Sequence, residues 1–508
     1  MNYHQATKHS EISVRTSAHY LDWENRPFPF KIYDGLPPTP LPRDFPRPQA
    51  DALSSISGLK PKVEVANFGI TELAELLFFS AGLTRRVRHG GAIHYMRAAS
   101  ATGALYPIEL YVISEGIQGL KAGVYHFNPL DFSLIQLRPG DYGAELAAIS
   151  DESVNSAPVT IAFTSLAWRN AWKYQARSYR HWFWDGGVIA ANLLAVSASM
   201  GIEARVVAGF LDASVNQLLG VKDGEEATVF LAPVGMGRTS PQGRALATIS
   251  HIEPKVQPLS RREVEHPEIW QVHRASSLSN QDEVRAWAGS AQIRHPPREP
   301  AGPIFPLDPA ESSNHEKLGD VILQRGSTRR FARDTIKLSQ LSTILRTSTG
   351  RLPLDYSRVG ESHTDIYLIA NAVDGLPPGS YFFHAKEEQL EQLKPGQLRR
   401  MSAYLCLEQP LFGDASAVCF LMTRLQEVLE AFGNRGYRAA QLEGGIIAGM
   451  IYLSAYSLGL GASGTTFYDD AVTEFFSPHA KDETAMIVVG LGVPAYKARP
   501  GKVLPQFS

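Results

Sequence analysis

Three arginines and two hydroxyls fall within seven residues, RGSTRRF at 325–331: Arg325, Ser327, Thr328, Arg329 and Arg330. That composition suits an anion. Guanidinium forks bind phosphate bidentately through charge-assisted hydrogen bonds. Ser327 can add a hydroxyl or cap a helix that begins there. A glycine-bearing stretch, GLGASG at 459–464, matches G-x-G-x-x-G literally. The dinucleotide-binding reading of that pattern needs a strand before it and a helix after it. Here the glycines end a helical stretch and lead into the strand-like TTFYDD, so that reading is rejected, and a glycine C-cap is the plain alternative. His89, His94 and His181 are scattered without metal-ligand spacing, so no metal site is expected.

These residues sit in a chain of 508, longer than one hydrophobic core usually supports. Hydrophobic residues make up 44% and charged residues 20%, an ordinary globular balance. A net charge of −2 gives no reason to expect nucleic acid or an acidic membrane as partner. Two cysteines, Cys406 and Cys419, make no disulfide framework, and the N-terminal MNYHQATKHSEISVRTSAHY has no apolar core for a signal peptide. A cytoplasmic protein is expected. The uncharged GGIIAGMIYLSAYSLGLGASG at 444–464 is long enough to span a bilayer. It is rich in Gly, Ser and Tyr and has a counterpart starting at Gly186, so both read as helices buried in protein.

The chain repeats itself. AGVYHFNPLDFSLIQLRPGDY from Ala122 answers PGSYFFHAKEEQLEQLKPGQL from Pro378, and RSYRHWFWDGGVIAANLLAVSASMGI answers RGYRAAQLEGGIIAGMIYLSAYSLGL. Tyr125 corresponds to Tyr381, Tyr179 to Tyr437 and Gly187 to Gly445, at a nearly constant offset. AGFLDASVNQLLGV answers TTFYDDAVTEFFSP, and each half closes on an apolar strand. Each half reads as a helix (70–83; 338–350), a strand (105–114; 364–373), a hairpin partner, a second strand (158–166; 417–425), a polar-to-apolar helix pair, a short extended piece and a closing strand. That mixture predicts an α+β sandwich in each half. The expected organisation is an N-terminal extension (1–59), a first domain (60–238), a linker (239–312) and a second domain (313–508). The extension carries a Pro-rich wrap at 24–48, and the linker two short helices near 262–275 and 280–288.

RAASATGALYPIELYV (97–112), KYQARSYRHWFWDGG (173–187), RGSTRRF and the GLG-plus-strand at 459–468 together resemble the nitroreductase fold, and within it the SagB-type dehydrogenases. The resemblance covers roughly 60–237 and 313–498. It implies two tandem nitroreductase-like α+β sandwich domains forming an internal pseudo-dimer, binding FMN. Arg325, Ser327 and Arg329 match the family's R-x-S-x-R phosphate and ribityl motif. Ser100, Thr102, Gly103, Ala104 and Leu105 lie in a loop resembling R-x-S-P-S-A-G-A-L-Y-P, with Ser100, Ala101 and Thr102 replacing Pro-Ser-Ala. Either Ser100 or Thr102 is left to supply the usual hydroxyl. Gly459, Leu460 and Gly461 resemble the helix-ending GLG whose backbone lies along the flavin. Lys173 and Tyr174 match the Lys-Tyr pair of SagB-type enzymes that oxidise azolines to azoles, where a base beside the substrate is chemically apt.

Each of these motifs occurs once. SGLKPKVEVANFG, ahead of Ile70, lacks R-x-S-x-R; VGESHTDIYLI replaces the loop in the second half; Ala431 and Phe432 stand where the first half has Lys173 and Tyr174. One composite FMN site per chain, across the internal pseudo-twofold, is therefore expected. The reaction is either oxidation of a small-molecule or modified-peptide heterocycle, or NAD(P)H-dependent reduction of nitro compounds or quinones. A non-catalytic flavin-binding protein is the alternative from another class. The pseudo-dimer could stand as a monomer or pair further.

Overall fold

The computed structural model describes residues 1–58, 68–89, 92–235, 248–289, 298–310, 316–358 and 361–503. Two antiparallel sheets have the same strand order. In the first, Pro38–Pro40, Ser133–Pro139, Gly123–Asn128, Ile108–Ser114, Val159–Leu166 and Glu226–Val234 lie side by side. The second runs Ile304–Pro306, Gln389–Pro395, Gly379–His384, Asp365–Ala370, Ala417–Thr423, Thr484–Gly492 and Gly461–Thr465. Central strands such as Ile108–Ser114 and Ala417–Thr423 are buried at every position. That explains their unbroken apolar sequences, since protein covers both faces. Both sheets start on a proline-bearing edge strand drawn from outside the repeat, where a missing N–H costs no ladder bond.

Corresponding details recur. Each hairpin shifts register beside its tyrosine, at Val124/Tyr125 and Ser380/Tyr381. Tyr125 donates to the Lys121 carbonyl and accepts from Gln136; Tyr381 makes the same pair of bonds with Pro377 and Gln392.

The long helices Ser178–Ser199 and Arg435–Ser457 are buried along nearly their whole length and pack against each other. No helix among the described residues is long and apolar enough to cross a membrane. Ion clusters tie the halves together reciprocally. Arg177 and Arg180 of the first half hold Asp469 of the second at 2.9 and 2.6 Å. Arg435 and Arg438 of the second hold Asp212 of the first at 2.8 and 2.5 Å. Tyr179-Arg180 and Tyr437-Arg438 occur in both halves because both ends of the seam need this clamp.

Three local expectations differ from the structure. RGSTRRF begins no helix; it is an irregular turn after the helix Leu318–Gln324, whose C-cap is Arg325. The extended piece near TTFYDD starts earlier, as Gly461–Thr465, and Asp469 opens a helix to Phe476. The first-half counterpart of that strand makes only isolated bridges, Ala204 to Val234 and Val207 to Leu231. Val206 between them pairs instead with Leu354 of the other half. The linker helices are Pro267–Ala275 and Gln281–Gly289. The expected domain limits at 238/239 and 312/313, and most of the segment ahead of Ile70, lie outside the described residues.

Candidate functional site

A cavity of about 430 Å³ opens at the seam between the halves. From the first half come Ser100, Thr102, Gly103, Ala104, Lys173 and Tyr174; from the second come Arg325, Ser327 and Arg329. The size falls within the range of cofactor pockets. The structure thus brings nine of the thirteen expected site residues, all but Leu105 and the GLG triplet, to one space, together with Asp185 and Thr465. Leu105 is buried behind the loop, 4% exposed, with its side chain under Gly103.

The loop 100–104 is held by the central helix. Asp185 accepts from the Thr102 amide at 2.8 Å and the Thr102 hydroxyl at 2.7 Å, and Asn170 donates to its other oxygen at 3.2 Å. Burial nevertheless pushes the Asp185 carboxyl up to about 6, against these hydrogen bonds. With the Thr102 hydroxyl donated to Asp185, the Ser100 hydroxyl is the one without a hydrogen bond among the described residues. Gly103, Ala104 and Tyr106 all have positive φ, 63°, 53° and 52°. Such conformations in non-glycine residues are strained and persist only where the surroundings over-determine them. Gly103 is required twice over, because a Cβ there would sit 2.9 Å from the Tyr174 hydroxyl.

The grip divides its labour. Arg325, 7% exposed, donates Nε to the Ala98 carbonyl and Nη2 to the Arg97 carbonyl, both at 2.9 Å. It reaches across the seam and fastens the base of the opposite loop while lining the cavity. Ser327 Oγ lies 3.4 Å from the Tyr452 hydroxyl. The Arg329 side chain is exposed and has no ion pair or hydrogen bond among the described residues.

Gly459, Leu460 and Gly461 do not line the cavity. Gly459, at φ 72°, and Leu460 donate their amides to the Tyr456 and Ala455 carbonyls, closing a Schellman motif on the central helix. A Cβ on Gly461 would fall 2.2 Å from Thr328 Oγ1, and the Thr328 amide donates to the Ala462 carbonyl at 2.8 Å. The triplet therefore backs RGSTRRF, and the cavity wall is made by the residues just after it, Gly464, Thr465 and Thr466.

The cavity is electropositive. Asp185 is the one acid lining it among the described residues, and it faces Thr102 and Asn170. Burial lowers the Lys173 ammonium, and the charges of Arg26 and Arg329 lower it further. Lys173 Nζ lies 5.3 Å from the Tyr174 ring centroid. Burial, then Asp185, pushes the Tyr174 phenol up, so it keeps its proton. The Tyr174 ring meets His181 edge-on at 4.3 Å, and His181 stacks on Trp184 at 4.7 Å.

The reciprocal position at the other end of the seam is filled by the chain itself. Asp355 accepts from the amides of Ala208 (2.9 Å) and Gly209 (2.7 Å), the counterparts of Thr465 and Thr466. Trp287, from the second linker helix, donates to the same carboxylate at 2.9 Å and packs on Tyr356 and Phe432. A Cβ on Gly209 would lie 2.3 Å from the Trp287 ring. Glu443, the counterpart of Asp185, binds the amides of His363 (2.7 Å) and Thr364 (3.0 Å).

Sequence reading missed Asp185, Arg97, Tyr452 and Thr465. Asp185 alone had a signal: it is the acid before the paired glycines, answered by Glu443. Arg97 is buried over Tyr106 at 5.0 Å and donates to the Pro29 carbonyl, a contact set by the wrap and invisible to spacing.

The nitroreductase family profile matches residues 63–236 and 322–493. A protein of Methanocaldococcus jannaschii named as a nitroreductase is 27% identical over 168 residues, covering 33% of this chain and 80% of that one. The microcin B17-processing protein McbC of Escherichia coli is 27% identical over 126 residues, 23% of this chain and 46% of McbC, so the match spans about half of McbC. A solved structure titled as a nitroreductase from Anabaena variabilis superposes with a TM-score of 0.78 at 25% identity, covering 97% of this chain and 99% of that one. The chain belongs to the nitroreductase family, as two tandem domains, and is an oxidoreductase.

Proposed function

From that family membership we propose that the seam cavity holds one FMN per chain and that substrate is oxidised or reduced beside it. The observation that carries this is the union, in one electropositive cavity, of the second half's arginine turn with the first half's strained loop and Lys173-Tyr174. The fit rests on chemistry at hand. FMN ends in a phosphate, and Arg329 is a guanidinium without an ion pair among the described residues, beside Ser327. No carboxylate other than the engaged Asp185 competes for it among the described residues. Arg325 holds the loop in place, the Ser100 hydroxyl lines the cavity and would be available to the flavin, and Gly103 would permit its close approach. Bound FMN supplies two-electron chemistry at its ring.

Around it the chain's own groups handle protons. Lys173 Nζ, its charge disfavoured by burial and two nearby cations, accepts a proton from substrate. Tyr174 stays protonated and donates a hydrogen bond. This favours dehydrogenation of a heterocycle on a small molecule or modified peptide, and the similarity to a microcin-processing protein supports that direction. The nitroreductase relative favours a second reading, NAD(P)H-dependent nitro or quinone reduction, with the nicotinamide as a small ligand of the same cavity.

The test is the visible spectrum of the purified chain, with released flavin identified and counted, followed by NAD(P)H oxidation with a nitroaromatic or quinone. One FMN per chain is expected. Two per chain, or none after reconstitution, overturns the composite site. Turnover of NAD(P)H with a nitroaromatic selects the second reading.

A further inference from the structure

A second cavity, of about 250 Å³, adjoins the first and shares Met96, Ala104 and Tyr106 with it. Its outer wall is the Pro-rich wrap, with Arg26 and Phe28, and its floor is the strand Ala92–Arg97, with Tyr95. The wrap is fixed there. The Phe28 amide donates to the Leu259 carbonyl at 2.7 Å, Arg169 Nε donates to the Phe28 carbonyl at 3.2 Å, and Arg97 Nη2 donates to the Pro29 carbonyl at 2.8 Å. Phe30 meets Tyr95 edge-on at 4.9 Å. The cavity is a built space, and its rings offer flat apolar walls.

Its charge is one-sided. No aspartate or glutamate lines it among the described residues. The Arg26 guanidinium makes no ion pair or hydrogen bond among the described residues; its one contact is a cation–π approach of 6.0 Å to the Trp23 ring. Arg26 also lies close enough to Lys173 to lower that ammonium's affinity for its proton. Half-buried cations gathered without a counter-charge are relieved when an anion binds between them. Arg329 is assigned to the cofactor phosphate above, which leaves Arg26 for the other ligand.

We propose that this second cavity receives the substrate and selects flat aromatic or heteroaromatic molecules bearing a carboxylate, with Arg26 binding the carboxylate and Phe28, Tyr95 and Tyr106 the ring. The proposal rests on the flavin reading of the adjoining cavity.

The experiment titrates benzoate and benzyl alcohol, a matched anionic and neutral pair, into the purified chain by calorimetry, with the flavin absorbance followed in parallel. Arg26→Ala is expected to weaken benzoate about tenfold or more while benzyl alcohol changes by less than about twofold, the size of a lost charge-assisted hydrogen bond. Arg26→Lys should recover most of the benzoate affinity. Flavin content should be equal in all three proteins, because Arg26 lies outside the cofactor's cavity. Benzoate binding that is absent, or indifferent to Arg26→Ala, overturns the proposal. Should the purified chain take up no flavin, the cofactor reading falls, and calorimetry on the flavin-free chain still decides Arg26 by the same two outcomes.

Discussion

Gly187 and Gly445 occupy corresponding positions in the two halves and lie against each other. A Cβ on Gly187 would sit 2.6 Å from the Gly445 carbonyl carbon, and one on Gly445 2.7 Å from the Phe183 carbonyl oxygen. Two backbones can approach this closely only where both lack side chains. The crossing sets the seam, because Asp185 and Val188 on one helix and Ala448 and Tyr452 on the other line the candidate site. Gly187→Ala is expected to destabilise the chain by about 1–3 kcal/mol through overpacking. It should also lower flavin content, since the helices must part where the cavity forms. Urea denaturation with flavin counting checks both; an alanine variant with normal stability would mean that the helices can slide at no cost.

Arg325 and Arg329 stand four residues apart and should fail differently. Arg325→Ala removes two hydrogen bonds to the Ala98 and Arg97 carbonyls and leaves both short of a buried donor. A loss of roughly 2–4 kcal/mol is expected, together with loosening of the loop. Arg329→Ala removes an exposed guanidinium and should leave stability within about 0.5 kcal/mol, yet release the flavin. Thermal melts beside flavin retention separate the two roles; equal destabilisation by both would remove the division.

The tandem fold was legible because duplication is written in side-chain order: Tyr125 with Tyr381 and Gly187 with Gly445 are the same tertiary contacts made twice. The arginine turn and the glycine loop stood out because an anion grip and close backbone approach draw on particular residue types, and the structure brings both to one cavity. What spacing could not carry is which groups meet across the seam. Arg325 reads as an anion ligand from its neighbours, but its guanidinium fastens the opposite loop, a contact between residues more than two hundred positions apart. Likewise GLG reads as a wall of the site, and packing makes it the support of Thr328. Trp287 sits in a linker with no counterpart in the repeat, so nothing in the pattern pointed to its place at the reciprocal end.

Asp185 gives the chain a distinctive pH response. Its carboxyl titrates near 6 in the folded protein because burial outweighs the bonds from Thr102 and Asn170. In the unfolded chain an aspartate titrates near about 3.9. Between those values the folded state holds more protons, so this group's contribution to stability falls as pH rises and is least favourable above about pH 6. Asp185→Asn, which keeps an oxygen for Thr102 and has no charge, should gain on the native protein by roughly 2 kcal/mol between pH 4 and pH 7. Parallel urea titrations across that range measure the gap. A gap independent of pH would show that Asp185 ionises in the folded chain as it does in water.

Trp287 closes the reciprocal end of the seam, 3% exposed, with its indole N–H on Asp355 and its ring against Tyr356 and Phe432. Trp287→Ala is expected to cost about 3–5 kcal/mol, the usual loss for truncating a buried aromatic ring. Asp355 adds to that cost, because its carboxyl, already pushed up by burial, loses one of three donors. The variant should nevertheless bind no second flavin. The vacated space offers Asp355 across the Ala208 and Gly209 amides, a negative group where an anionic cofactor would need donors. Flavin per chain in the native protein and in Trp287→Ala tests this directly. An unchanged ratio supports a reciprocal end closed by its own chemistry. A doubled ratio would mean that the tryptophan alone had been keeping a competent site shut.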